Sequence, residues 1–204
     1  MARLPLEQLA AFLAEAGHIG SEQQVQLTAL WKDRNAKVKD NRKLDPIAFI
    51  MGLNIPDKLH PEAVIGDVTI ARLLAQKSGL PTVKLDPLKL DMEFVHKTVS
   101  RPFAARFLMV PLAERDGHIL MAVADPFDAE GIDVFRQTSP LPVKRLVTAY
   151  GDLVRIIHEF YGLRASLSKA ERTLTQGGDL GNLEQLVRLQ SGTEIEASEK
   201  HVVN

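Results

Sequence analysis

In the stretch GHILMAVADPFDAEGIDVF, Gly117 to Phe135, an apolar run ends on Asp125, Pro126 follows, and a second carboxylate stands at Asp128. Paired carboxylates at the end of a buried strand can hold a divalent cation or divide general-acid and general-base work. The same residues also turn a chain out of a strand into a helix. Proline suits the first helical turn, where its missing N–H would have had no partner, and acids there face the positive end of the helix dipole. No accompanying ligand spacing completes a metal or catalytic set. The structural reading is therefore preferred, with Asp125 as the cap of the following helix and Asp128 at its third position.

The remaining chemical groups are dispersed. His18, His60, His96, His118, His158 and His201 show no HExxH or comparable spacing. There is no cysteine, which removes disulfides, thiolate nucleophiles and cysteine metal sites. The chain has no GxxxxGK[ST] phosphate loop, no GxGxxG after a strand and no GxSxG elbow. A formal net charge of -1 gives no overall field toward nucleic acid or an anionic membrane. No apolar run approaches the roughly 18 residues of a membrane span. The basic stretch WKDRNAKVKDNRK, Trp31 to Lys43, reads as solvated charge on an exposed helix extension or loop rather than as a phosphate patch.

The elements that would position these groups fall into three regions. In residues 1–80, Leu6, Leu9, Ala10, Leu13 and Ala14 recur at helical spacing before Gly17. Ser21 with Gln24 predicts a capping box, and Val25, Thr28, Ala29 and Trp31 predict the stripe of a second helix. LDPIAFIMG predicts a short apolar helix, and DVTIARLLAQKSG one with Val68, Ala71, Leu74 and Ala75 inward and Gly79 as its stop. This is a small helical subdomain.

Residues 81–162 change character. TVKL is a short strand, DMEFVHKTV and PFAARF are helical, and two apolar runs around Asp116-Gly117 form a hairpin. DAEGIDVFRQT, PVKRLVTA and YGDLVRIIHEFYG add helix, strand and helix, with Tyr150 and Tyr161 over the ends of the last. The fold class is thus α+β, a helical subdomain followed by a small mixed sheet subdomain. Residues 163–204, broken at Gly177-Gly178, read as a flexible linker.

Taken together, AQKSGLPTVKLDPLKLD, SRPFAARFLMVPLAERDGHILMAVADPFD and LVRIIHEFYG resemble the N-terminal region of the type II secretion and type IV pilus assembly ATPases. The segments follow the family's order over Ala75 to Gly162, and EIEASEKHVVN looks like the lead-in to an ATPase core that would begin past Asn204. The resemblance implies a non-catalytic, cytoplasmic module that docks a hexameric motor to an inner-membrane assembly platform protein. It would be peripheral to the membrane through that partner, without inserting into it and without binding nucleic acid. No cofactor is expected in this stretch, since ATP and Mg belong to the core.

A second implication of the resemblance is cyclic di-GMP binding, which some members achieve through paired copies of a pattern like RLGxxLVxxG. Gln8, Leu9, Ala10, Leu13 and Gly17 occupy one copy, and Lys43, Leu44, Asp45, Ala48, Phe49 and Gly52 the other. The family's arginine is Gln8 in the first and Lys43 in the second, so the planar fork that stacks on guanine and pairs with phosphate is missing from both.

Overall fold

The computed structural model describes residues 3–37, 44–159 and 161. Lys43 and the predicted linker 163–204 lie outside the described residues. Every described helix and strand belongs to one compact unit within Met1–Tyr161.

Helix α1 (Leu6–Glu15) buries Leu6, Leu9, Ala10 and Leu13, and the chain leaves it through Gly17 at φ +83°. Helix α2 (Ser21–Lys37) is long but buries only Leu27, with Trp31 half-buried. Its inward stripe is Gln24, Leu27, Thr28 and Trp31, whereas Val25 is 69% exposed, which corrects the stripe expected from sequence. Val25, Leu27, Leu30 and Trp31 do not share one face, so the pattern has two nearly equal phases. The capping contact also shifts by one residue: Gln23 Oε1 accepts from Gly20 N at 3.0 Å, in place of the Ser21–Gln24 box.

Helix α3 (Pro46–Met51) is started by Asp45, whose Oδ1 accepts from Ile47 N at 2.9 Å and Ala48 N at 3.1 Å, with Pro46 in the first turn. Helix α4 (Asp67–Ser78) buries Ile70, Ala71, Leu73, Leu74 and Ala75 and ends on left-handed Gly79. Val68, expected inside, is exposed. Helices α5 (Met92–Thr98) and α6 (Arg101–Phe107) are capped by Asp91 and Ser100.

Strands β1 (Met109–Arg115) and β2 (His118–Val123) are antiparallel. Asp116 and Gly117 join them, both at positive φ, as a two-residue turn requires. Pro111 and the register shift before Ala113 blunt edge strand β1. Helix α7 (Ala129–Thr138) then carries the chain back to β3 (Val143–Val147), parallel to β2, giving the order β1-β2-β3. The predicted TVKL strand contributes one bridge, Thr82 with Val147. A last helix, α8, covers 150–159 and buries Leu153, Ile156 and Ile157. One continuous apolar core runs from Leu4 to Tyr161, uniting α1, α3 and α4 with the sheet. The protein is α+β.

Candidate functional site

At the β2–α7 corner the two aspartates hold main chain. Asp125 Oδ1 accepts from Phe127 N at 2.8 Å, closing the turn over Pro126, and Oδ2 accepts from Leu4 N at 2.7 Å. Asp128 is the N-cap of α7, accepting from Gly131 N at 3.0 Å. The expected positions are therefore corrected: the helix starts at Ala129, so Asp128 caps it and Asp125 lies one turn outside. Two aspartates one turn apart offer the same cap to the same helix, and the proline signal favours the earlier one.

Arg3 stands between two of these caps, with Nε 3.5 Å from Asp128 Oδ2 and a terminal nitrogen 4.0 Å from Asp45 Oδ2. Burial pushes the Asp125 carboxyl above its ordinary range, against the two main-chain bonds that lower it. Burial likewise raises the Tyr150 phenol, helped by the Asp45 carboxylate and opposed by Arg3. Among the described residues no group of three histidine or acid side chains is placed to hold a metal ion.

A concave site lies elsewhere. A cleft of about 210 Å³ lies between the end of α2 and α3, lined by Arg34, Leu44, Asp45, Ala48, Phe49 and Gly52. Its floor is fixed by aromatic packing: Trp31 meets the Phe49 ring edge-on at 5.0 Å, and the Arg34 guanidinium lies 5.9 Å from the same ring centroid. An apolar floor with one guanidinium at the rim suits a small planar or aliphatic group that carries an acceptor.

Of the residues expected to bind ligand, the structure brings only described residues of the second copy to the cleft. Leu44 and Gly52 line the cleft. Leu9 and Leu13 are 0% exposed in the core, Gln8 is exposed on α1, and Gly17 lies in the turn after it, so the leucines of the first copy are not presented to a ligand. Sequence reasoning sets Arg34 aside with the basic stretch Trp31 to Lys43, although Arg34 stands about a helical turn after Trp31.

A second polar contact joins distant segments. His18, in the α1–α2 turn, approaches Asp57 through Nδ1, 2.9 Å from Oδ1 and 3.0 Å from Oδ2. Asp57 is 2% exposed.

Comparison with known proteins finds similarity in sequence and in fold. Residues 78–167 match the MshEN domain. The chain is 22% identical over 166 residues to the type IV pilus assembly ATPase TfpB of Acinetobacter baylyi, covering 81% of this chain and 28% of that protein. It is 25% identical over 193 residues to the type II secretion system protein E of Xanthomonas campestris pv. campestris, covering 85% of this chain and 34% of that one. The chain thus spans no more than about a third of these relatives.

Among solved structures, MshE with cyclic di-GMP superposes with a TM-score of 0.56 at 17% identity, covering 75% of this chain and 98% of that one. The N-terminal domain of XpsE gives 0.52 at 22%, covering 78% and 97%. Both copies of the RLGxxLVxxG-like pattern, Gln8 to Gly17 and Lys43 to Gly52, precede the residues that match the domain. Residues 78–167 match the MshEN domain, and the chain is similar in sequence to part of a type IV pilus assembly ATPase and of a type II secretion system protein E, and in fold to the N-terminal domain of XpsE.

Proposed function

We propose that this chain is the non-catalytic docking module of such a motor, binding a cytoplasmic segment of an inner-membrane assembly platform protein. The observation that carries the reading is where apolar surface is left uncovered. Of the seven large aliphatic side chains exposed among the described residues, Val25, Leu30, Leu59, Val64 and Val68 all fall on α2, the α3–α4 connection and the first turn of α4. A well-packed unit that leaves such residues on ordered elements has a surface suited to a partner. The remaining two are Leu88 and Val154.

Titration calorimetry of this protein against the cytoplasmic segment of its platform protein tests the reading. Binding is expected, with Val25→Asp or Val68→Asp weakening it by about tenfold or more. Absence of binding to the correctly folded segment refutes it.

A second reading, cyclic di-GMP sensing, is favoured by one observation. The α2–α3 cleft is lined by Leu44, Asp45, Ala48, Phe49 and Gly52 of the second copy, and Arg34 brings to it a guanidinium that neither copy supplies. Burial of Leu9 and Leu13 withholds the leucines of the first copy from a ligand, so docking ranks ahead. Heat on addition of cyclic di-GMP, abolished by Arg34→Ala, would support sensing, and no heat at high micromolar ligand would exclude it.

A further inference from the structure

The buried polar side chains among the described residues are Asp57, Asp128 and Thr148. Asp128 caps a helix, but Asp57 lies in the α3–α4 connection, where no helix needs it. Its oxygens bracket His18 Nδ1, and Oδ1 also accepts from Leu59 N at 2.9 Å. Lys58 N donates to His18 O at 2.9 Å, so side chain and main chain together fasten this connection to the α1–α2 turn.

The fastened segment is a compact hairpin. At its base Pro56 bridges Val64, and Ile65 N donates to Ile55 O at 2.8 Å, with Ile55 and Ile65 buried in the core. Toward its tip, Asp57 N donates to Ala63 O at 2.9 Å and Ala63 N to His60 O at 2.8 Å. Residues 58–64 are exposed, so no buried apolar side chain anchors the tip. It lies on two glycines of the α1–α2 turn: a Cβ at Gly17 would stand 3.5 Å from Leu59 Cδ2, and one at Gly20 would collide with Lys58 Nζ.

We propose that residues 57–63 are a hinged cover over the α1–α2 turn, latched by His18 and Asp57. Releasing the latch lifts the tip from Gly17 and Gly20 while the isoleucine base stays in place. The physical reason is an imbalance of anchors. A buried carboxylate that loses its imidazole partner must regain water, which the closed tip denies it. Only exposed side chains and main-chain bonds oppose the opening, so it is local rather than global. Burial raises the Asp57 carboxyl, but the His18 and Leu59 hydrogen bonds outweigh it and the net direction is down. Among the described residues His60 acts electrostatically on Asp57 and lies 4.0 Å from Glu62, and the Lys58 ammonium lies over Gly20.

Native-state hydrogen exchange on the whole chain tests this, using Asp57→Asn and His18→Gln, which nearly keep side-chain size. The amides of Lys58, Leu59 and Ala63, with those of the Gly17–Gly20 turn, should exchange about tenfold faster or more, while β2 and α7 keep their protection. In the unaltered protein, tip exchange corrected for intrinsic chemistry should rise in acid as Asp57 takes up a proton. Asp57→Asn should flatten that profile. Unchanged tip protection in both variants overturns the proposal, and so does an equal loss of protection in β2 and α7.

Discussion

Leu4 and Asp125, 121 residues apart, are joined by a 2.7 Å hydrogen bond from the Leu4 main-chain N–H to Oδ2 of the carboxylate. Through it the N-terminal segment is tied to the exit of β2. Arg3 beside it faces the caps of both α3 and α7, so one short segment connects the helical layer to the sheet.

Replacing Asp125 with alanine leaves Leu4 N and Phe127 N without their acceptor and is expected to cost about 1–3 kcal/mol in urea denaturation. Asp125→Asn keeps one carbonyl oxygen and should cost less. The pH dependence has a definite sign. The folded carboxyl is raised above its ordinary value of 3.8, so its contribution is fully present below 3.8 and is lost as pH rises through the raised folded value. The stability gap between the unaltered protein and Asp125→Asn should therefore shrink across that interval, and a gap that widens contradicts the burial argument.

Asp57 should behave oppositely. Its folded carboxyl lies below 3.8, so its contribution is present above that value and is lost as pH falls through the lowered one. Denaturation midpoints measured on acidification should fall more steeply for the unaltered protein than for Asp57→Asn. Parallel acid limbs would mean that His18 does not stabilise the charged form.

What the sequence displays follows from the range of the forces involved. The hairpin is legible because Asp116-Gly117 meets a local backbone demand, and α1 and α4 because their apolar residues repeat at the helical period. In α2 the expected stripe is misplaced, since Leu27 is its only fully buried residue and Val25 competes equally in pattern. Asp125 reads as a cap because its actual partner, Leu4 N, is remote in sequence. The cleft is half visible: the second copy of the pattern picks out Leu44 and Gly52, but Arg34 joins them only through the packing of α2 on α3, which periodicity does not encode.

Gly117→Ala isolates backbone strain. Gly117 has φ +67°, and nothing lies within 4 Å of where its Cβ would stand. The cost should therefore be the left-handed penalty alone, about 1–2 kcal/mol, with little change in the exchange of α7. Gly117→Asn, a residue that tolerates this region, should recover most of it. Equal destabilisation by both substitutions would point to a contact at this turn in place of a conformational demand.

Gly131→Ala isolates packing. The glycine lies in the first turns of α7, where alanine would gain about 1 kcal/mol of helix propensity. Its Cβ, however, would stand 2.6 Å from Met109 Cε and 3.0 Å from both Met109 Sδ and Phe107 Cδ1. Met109 is 0% exposed and Phe107 5%, so the thioether has no free space to retreat into. Overpacking costs of about 1–3 kcal/mol should exceed the propensity gain and lower the melting temperature. If the collision is the cause, combining the change with Met109→Ala should cost less than the two singles added together, because the shortened side chain makes room for the new methyl. Strict additivity in that cycle would assign the loss to α7 itself or to Phe107 and not to the contact with Met109 of β1.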